Sequence, residues 1–350
     1  MAKTVMTVVG PVDVDTLGVT LPHEHFLSDA RNQFTEFDDP EKRRISAEPL
    51  RMDNLGVVRR NPYGIKDNLV LDDLELAIEE AEAFKALGGK TIVDCTPVGV
   101  HRAPEKLQEL ARRTGLNIIA GCGYYTYDTH PKEMDNWSAE QIADQMLRDL
   151  TSGIDGTSIR AGIIGEIGTS KPIRPNERKN LLAAALAFQQ TGAGIQVHTY
   201  PWGHEGLEAV EILVGAGVDA AKIVICHTDV EIDLNYIKAI LKKGVFVEFD
   251  NFGKEFYIDP VDRGFAGGIF ARDLERVTTI KTLVEGGYDK QVLVTNDLCL
   301  KCMLHHYGGW GYDHILRNVV PMMLDEGISL ESIDNFLQNN PKSWLSTGVV

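Results

Sequence analysis

The stretch Val19-Thr20-Leu21-Pro22-His23-Glu24-His25 decides the fold, because it is the first of eight short β-rich runs that alternate with helical patterns. Side chains alternate between the two faces of a strand, so His23 and His25 are expected on one face and Glu24 on the other. Neutral imidazole is the commonest metal ligand among side chains. Two imidazoles at the end of one strand therefore indicate a place where a metal ion can bind.

Seven further runs have the same β-rich character, and helical patterns separate them. The strands are predicted at 19–25, 91–97, 117–125, 161–168, 195–200, 223–229, 245–250 and 292–297. The helices are predicted at 71–87, 103–114, 138–150, 176–190, 204–216, 232–243 and 274–286. Strands that alternate with helices imply parallel βαβ units, and eight units favour a closed α/β fold, the (β/α)8 TIM-type barrel. An open doubly wound sheet is the alternative, but no Gly-x-Gly-x-x-Gly turn follows the first strand.

The remaining segments decorate this barrel, which we predict to be a single domain over residues 1–350. Residues 1–17 are expected to form a hairpin before the first strand. The polar, weakly periodic segment 27–69 is predicted to be a long insertion after strand 1. Two more helices are predicted at 312–326 and 329–338.

Composition narrows the range of partners. The chain has 350 residues, 43% of them hydrophobic, which is enough for a large core. Its net charge of −16 argues against nucleic acid and against an anionic membrane surface, since both require a basic face. The charge says little about a small molecule, which is the partner we expect, because local charge in a pocket can oppose the net charge. There is no secretory leader pattern and no apolar run of about 18 residues. The five cysteines are an odd set, which favours free thiols in the cytoplasm over a disulfide framework.

Five of the predicted strands carry a possible metal ligand at or near the carboxyl end. Besides the histidine pair of the first strand, these are Glu166, His198, His227 and Asp297. The carboxyl ends of barrel strands meet at one mouth, so we expect the six side chains to lie together. One metal does not need six protein ligands, whereas two metals that share a bridging carboxylate would use all of them.

The motifs around these residues resemble those of the phosphotriesterase family of the amidohydrolase superfamily, over nearly the whole chain. The similar stretches are Thr20-Leu21-Pro22-His23-Glu24-His25, Gly165-Glu166-Ile167-Gly168, Cys226-His227-Thr228-Asp229, Gly308-Gly309-Trp310-Gly311-Tyr312 and Asn340-Pro341-Lys342-Ser343-Trp344-Leu345. The chain is most similar to the phosphotriesterase-related and phosphotriesterase homology proteins. Many family members use a carboxylated lysine to bridge two metals, but here the matching position is Glu166.

The resemblance implies a metal-dependent hydrolase with two divalent metal ions. By it, His23, His25 and Asp297 hold the more buried ion, His198 and His227 hold the more exposed one, and Glu166 bridges them together with a hydroxide that attacks the substrate. Asp297 is the implied catalytic residue, since it could accept the proton of the hydroxide and pass it to the leaving group. Histidine and carboxylate ligands favour zinc, while manganese, cobalt and iron remain open. The resemblance also suggests a homodimer.

The chain departs from the family pattern at one informative place. Phosphotriester-hydrolysing members carry a proton-relay histidine after the seventh strand, where this chain has Asn251, and many lactonases carry an arginine there. The subgroup resemblance implies lactones, simple carboxylic esters or N-acyl amides of small metabolites as substrates. Among these we predict an ester or lactone, since an amine leaving group needs a committed proton donor and the relay histidine is missing. The alternatives are hydrolysis of an N-acyl amide of the N-acyl amino acid type, phosphotriesterase side activity, and a non-catalytic metal-containing receptor.

Residues in the loops after the strands should shape the substrate pocket. Two roles remain open for Tyr124 and Tyr125, namely a pocket wall and plain packing at the rim. Arg102 and Lys254 are predicted to hold an anionic substrate group, with solvated surface charge as the alternative. Asp229 is either a residue that orients a metal ligand or a helix N-cap. Cys299 and Cys302 lack a second cysteine pair, so a structural zinc site is not predicted there, and their role stays open.

Overall fold

The computed structural model describes residues 3–347 and contains the predicted parallel barrel. Eight strands follow one another around it in chain order. They are β1 (Val19–Glu24), β2 (Gly89–Asp94), β3 (Asn117–Cys122), β4 (Ile163–Gly168), β5 (Ile195–His198), β6 (Ile223–Ile225), β7 (Phe246–Phe249) and β8 (Val292–Val294). Seven ladders of parallel pairing join neighbouring strands from β1 to β8.

The ring closes at the mouth, where β8 meets β1. The backbone N–H of Asp297 donates to the carbonyl of His23 at 3.1 Å, and the hydroxyl of Thr295 donates to the same carbonyl at 3.0 Å. Hydrogen bonds therefore join the ends of the first and last strands where two predicted metal ligands lie.

Helices separate the strands as predicted. They are α1 (Leu74–Ala86), α2 (Pro104–Thr114), α3 (Ala139–Thr151), α4 (Pro175–Thr191), α5 (Gly206–Gly215), α6 (Leu234–Leu241) and α7 (Asp273–Glu285). Local sequence explains their bounds. Ser138 and Gln141 form a capping box at the start of α3, and Gly115 ends α2 with a φ of 73°, which glycine adopts without a steric penalty.

Alternating side chains divide the core into an inner and an outer layer. Residues such as Ile119, Val224 and Leu293 point into the barrel, while their neighbours along the strands pack against the helices. At the amino-terminal end of the barrel the hairpin formed by Thr4–Thr7 and Gly10–Asp13 and the buried Trp344 cover this inner cluster. That end is filled, so the opposite mouth is left for a site.

The insertion after β1 crosses this mouth. It contains short helices at Pro40–Ile45 and Leu55–Val58, and its two ends pair as the strands Ser28–Asp29 and Val70–Leu71. Lys42 and Arg60 in the insertion form ion pairs with Asp259 in the long loop after β7. We call these two segments, residues 27–69 and 251–272, the roof.

The strands end earlier than predicted at several positions that carry functional candidates. The predicted strands 223–229 and 292–297 end at Ile225 and Val294. The physical reason is that His227 and Asp297 have φ values of 60° and 45°, outside the range of a strand. Such backbone conformations in non-glycine residues cost about 1–3 kcal/mol and tend to occur at functional sites.

The tail also differs in detail from the prediction. It folds into helical segments at Ile315–Val319, Val320–Asp325, Leu330–Asp334, Asn335–Asn339 and Asn340–Leu345. The predicted helix 329–338 therefore continues to Leu345. Among residues 3–347, the structure has no helix that is both long and apolar enough to cross a lipid bilayer.

Candidate metal centre

The structure brings the six predicted ligands together at the mouth of the barrel, in two groups of three. One group is His23, His25 and Asp297, and the other is Glu166, His198 and His227. Within each group the nitrogen and oxygen atoms that could bind a metal all lie within 4.8 Å of one another. All six residues are buried.

In the first group both imidazoles face one carboxylate oxygen. Oδ1 of Asp297 lies 3.2 Å from Nε2 of His25 and 3.5 Å from Nε2 of His23. Nε2 of His23 is buried and has no hydrogen-bond partner within residues 3–347. An unpaired buried polar atom is costly, so this donor set fits a cation placed between the three side chains.

Glu166 lies between the two groups. Its Oε1 is 3.0 Å from Nδ1 of His198 and 3.0 Å from Nε2 of His227, and 3.6 Å from Nε2 of His23. One carboxylate oxygen thus contacts both ligands of the second group and approaches the first. This is the arrangement that a bridging carboxylate requires.

A second layer of side chains orients the imidazoles. Nδ1 of His23 hydrogen-bonds to Oε2 of Glu248 at 3.0 Å, and Nδ1 of His227 to Oδ1 of Asp250 at 3.2 Å. Nδ1 of His25 contacts the hydroxyl of Thr96 at 2.9 Å. Such partners fix the ring orientation of a metal-binding histidine and raise its basicity. The sequence prediction missed all three, although the two acids in the apolar stretch 245–250 were a signal of the kind that identified Glu166.

Glu24 supports the centre from the other face of β1, as the alternation predicted. Its carboxylate accepts hydrogen bonds from the hydroxyl of Thr295 at 2.6 Å and from the backbone N–H groups of Asn296 and Leu298, each at 2.9 Å. These bonds hold both sides of the turn that presents Asp297.

The electrostatics of the centre favour bound positive charge. Burial alone would lower the pKa of His227, but the carboxylates of Asp250 and Glu166 raise it to about 10. Burial would raise the pKa of Glu166, yet His23 and His198 lower it well below its usual range. The carboxylates thus stabilise positive charge at His227, which is compatible with a bound metal cation.

A cavity of about 560 Å³, its open mouth included, lies above the centre. Its walls combine apolar side chains with donors and acceptors from the roof. The lining residues other than the ligands themselves are Ser28, Ala30, Gln33, Tyr63, Val100, Tyr125, Pro201, Asn251, Lys254, Phe265, Phe270 and Cys299. An apolar lining with a few polar groups is typical of a small-molecule site.

Two of the four predicted substrate residues line this cavity. The hydroxyl of Tyr125 lies 3.2 Å from Nδ1 of His198 and accepts a hydrogen bond from Nε2 of Gln33 at 3.1 Å. The ammonium of Lys254 is buried and contacts Oδ2 of Asp297. Both side chains thus touch proposed metal ligands.

The structure does not bring Arg102 and Tyr124 to the cavity. The guanidinium of Arg102 is paired with Asp149 at 2.6 Å and with Asp155 at 2.6 Å. The ring of Tyr124 packs against Trp137, with 6.0 Å between the ring centres. Of the readings left open for Tyr124, plain packing at the rim matches this position, whereas Arg102 forms a structural ion pair.

Asn251 and Asp229 are hydrogen-bonded to each other next to Asp250, the carboxylate that contacts His227. Nδ2 of Asn251 donates to Oδ1 of Asp229 at 2.8 Å and to Oδ1 of Asp250 at 2.6 Å. Asp229 also pairs with Nε of Arg276 at 2.9 Å. The N-cap of α6 is Asp233, so Asp229 does not cap this helix. Asp229 instead holds Asn251, which donates to Asp250, the hydrogen-bond partner of His227.

Four further lining residues come from the insertion and were missed by sequence reasoning; besides Ala30, three of them carry polar side chains. Ser28, Gln33 and Tyr63 lie in a segment without helical or strand periodicity, so no pattern in the sequence indicated which side chains face inward. Cys299 also lines the cavity, and all five cysteines are free thiols.

The barrel, with its ligand set at the carboxyl ends of the strands, defines a metal-dependent hydrolase. The sequence profile of the Phosphotriesterase family matches residues 3–345, and the chain belongs to that family. It is 36% identical to the N-acetyltaurine hydrolase of Xenopus tropicalis over 344 residues, which cover 98% of this chain and 97% of that protein.

Solved structures agree with this placement. A resiniferatoxin-binding protein from Rhodobacter sphaeroides superimposes with a TM-score of 0.94 at 33% identity, covering 98% of this chain and 94% of that chain. The lactonase Lmo2620 from Listeria monocytogenes superimposes with a TM-score of 0.77 at 25% identity, covering 98% of each chain.

Proposed function

We propose that this phosphotriesterase-family hydrolase cleaves the amide bond of small N-acyl amines of the N-acyl amino acid type. The sequence alone placed an ester or lactone first and this amide reaction second. The relative named N-acetyltaurine hydrolase, 36% identical over nearly the full length, supports the amide reaction. The cavity, which the roof lines in part and which combines apolar with polar side chains, is consistent with a small acylated amine.

We further propose that His23, His25 and Asp297 hold one divalent ion, that His198 and His227 hold a second, and that Glu166 bridges them. Nitrogen and oxygen donors of this kind suit zinc, with manganese, cobalt and iron also compatible. Bound there, the pair of ions would lower the pKa of a shared water and polarise the substrate carbonyl.

Asp297 is the residue proposed to move the proton. Its Oδ1 faces the imidazoles of His23 and His25, while its Oδ2 faces the cavity and contacts Lys254. The carboxylate would accept a proton from the attacking water and deliver it to the leaving nitrogen, so that the amine departs neutral. Asn251 has no titratable proton, and therefore the outward relay of other family members is not used.

Tyr125 is proposed to orient the acyl group. Its hydroxyl is held between Nε2 of Gln33 and Nδ1 of His198, so it is fixed beside the second group of ligands. A substrate whose carbonyl points at this group would lie within reach of the hydroxyl.

The position of the Glu166 oxygen between the two ligand groups is the single observation that carries this proposal. The test is metal analysis of the purified protein together with turnover of N-acetyltaurine, N-acyl amino acids, lactones and simple esters. We expect two metals per chain and cleavage of N-acyl amides, both reduced in Glu166→Gln. Turnover of lactones without amides would favour the reaction of the Listeria relative, and two metals with no hydrolysis at all would favour a receptor.

We also propose that the protein is a cytoplasmic homodimer. The free state of all five cysteines supports a reducing compartment. Light scattering on the purified protein measures the mass, and a monomer at micromolar concentration would contradict the dimer. Cell fractionation with a tagged chain tests the compartment.

A further inference from the structure

Lys254 is a buried cation with unused donor capacity. It is 4% exposed, and within residues 3–347 its ammonium makes one hydrogen bond, to Oδ2 of Asp297. An ammonium carries three N–H donors, so two of them have no protein acceptor. Lys254 lines the cavity, and it is the only lysine or arginine among the lining residues.

Two hydroxyls in the same lining are also without partners in the described part of the chain. Oγ of Ser28, a residue that is 5% exposed, is buried and makes no hydrogen bond. The hydroxyl of the buried Tyr63 makes no hydrogen bond with another residue in that range, and Tyr63 lines the same cavity as Lys254. Both residues come from the segment between β1 and α1.

The surroundings leave these donors to a ligand. The carboxylates that line the cavity are already engaged, since Glu166 contacts two histidines and Asp297 contacts His25 and Lys254. The remaining wall includes Phe265 and Phe270, which offer no acceptor. A ligand that brings oxygen acceptors and a negative charge would satisfy the unpaired donors.

We propose that Lys254, together with Ser28 and Tyr63, forms a subsite for an anionic group on the amine portion of the substrate. This inference rests on the proposed amide hydrolysis and specifies its substrate class as N-acyl amines that end in a carboxylate or sulfonate. Both groups present several acceptor oxygens with one negative charge, so both can take charge-assisted hydrogen bonds from the ammonium. Lys254 and its two partners are therefore specificity-determining residues.

The experiment compares anionic and neutral substrates of matched length on the metal-loaded protein. N-acetyltaurine and N-acetyl-β-alanine supply the sulfonate and the carboxylate, and N-propylacetamide supplies the neutral counterpart. In Lys254→Met, kcat/KM for the two anionic amides is expected to fall about 10- to 100-fold more than kcat/KM for the neutral amide, the range for a lost hydrogen bond to a charged group. The ratio of kcat/KM for the two anionic amides tells whether the subsite prefers a sulfonate or a carboxylate.

Further variants separate this role from the contact with Asp297. Ser28→Ala and Tyr63→Phe are expected to lower the same anionic preference about 3- to 10-fold, as for loss of one neutral donor. Lys243→Met is the control, because its ammonium pairs with Glu211 on the surface and it does not line the cavity. This control should keep the wild-type preference.

Two results would overturn the subsite. One is an equal loss for anionic and neutral amides in Lys254→Met, which would show that the lysine acts only through Asp297. The other is a wild-type protein with equal kcat/KM for the anionic amides and the neutral amide. If the wild type cleaves no amide, the proposed function fails but the subsite can still be tested by binding. Calorimetry then measures the affinities of wild type and Lys254→Met for N-acetyltaurine and N-propylacetamide. The subsite predicts that the substitution weakens binding of N-acetyltaurine more than binding of N-propylacetamide, and equal losses would overturn it.

Discussion

The two oxygens of Asp297 face different partners. Oδ1 lies 3.2 Å from Nε2 of His25, and Oδ2 contacts the ammonium of Lys254. A single carboxylate therefore joins the proposed metal centre to the substrate cavity. The turn that presents it, with a φ of 45° at Asp297, is held by the buried carboxylate of Glu24.

Replacing Asp297 should affect the chemical step more than the binding of substrate. In Asp297→Asn, kcat for N-acyl amides is expected to fall about 10²- to 10⁴-fold, the contribution typical of general acid–base catalysis. Steady-state kinetics with metal content measured in parallel checks this. An unchanged kcat in a fully metal-loaded variant would show that another group moves the proton.

The carboxylate that contacts His23 should increase the affinity of the proposed site for metal. Glu248→Gln weakens the acceptor of Nδ1 of His23, so metal affinity or activity is expected to fall about 10- to 100-fold. Titration with a competing chelator measures the affinity. Glu109→Gln is the matched control, because this glutamate sits in an exposed ion pair on α2 and should leave metal affinity unchanged.

Removal of metal should lower stability as well as activity. Two ions that bind the folded chain and not the unfolded chain stabilise it by mass action, so the Tm is expected to fall after treatment with a chelator. Differential scanning calorimetry before and after treatment measures the change, and added metal should restore both Tm and turnover. A Tm that is the same with and without metal would argue against ligands buried in the barrel.

Arg102 should contribute to stability and not to substrate binding. Its guanidinium is 7% exposed and pairs with Asp149, which is 1% exposed. Arg102→Met leaves that carboxylate buried without its partner, so the free energy of unfolding should fall by about 3–5 kcal/mol. Denaturant unfolding measures this, and KM should stay at the wild-type value.

The control for Arg102 is Arg113→Met. Arg113 pairs with Glu75 on the surface, where solvent screens the pair, so the loss of stability in this variant should be much smaller. Equal losses of stability in the two variants would contradict the role assigned to the buried pair.

The sequence predicted that the six candidate ligands lie together because of a general property of barrels. Strand ends meet at one mouth, so residues such as His23 and Asp297, 274 positions apart, can be placed together from strand positions alone. The turn conformation of His227 and Asp297 was not predictable in this way, because a positive φ in a non-glycine residue contradicts local preference and depends on surrounding contacts.

The cavity wall was harder to predict than the metal centre. Tyr124 and Tyr125 are adjacent in sequence, yet only Tyr125 lines the cavity. Arg102 follows a strand but turns toward Asp149. Ser28 and Tyr63 lie in a segment without periodicity, where inward and outward positions depend on the path of the roof and leave no trace in residue spacing.

The most direct test of the proposed amide hydrolysis is the kcat/KM of the metal-loaded protein for N-acetyltaurine, measured beside simple lactones and esters on the same preparation. The account predicts that the amide is cleaved with the highest kcat/KM of the panel by a protein that holds two metal ions per chain. Efficient cleavage of lactones or esters with no detectable cleavage of the amide would contradict it.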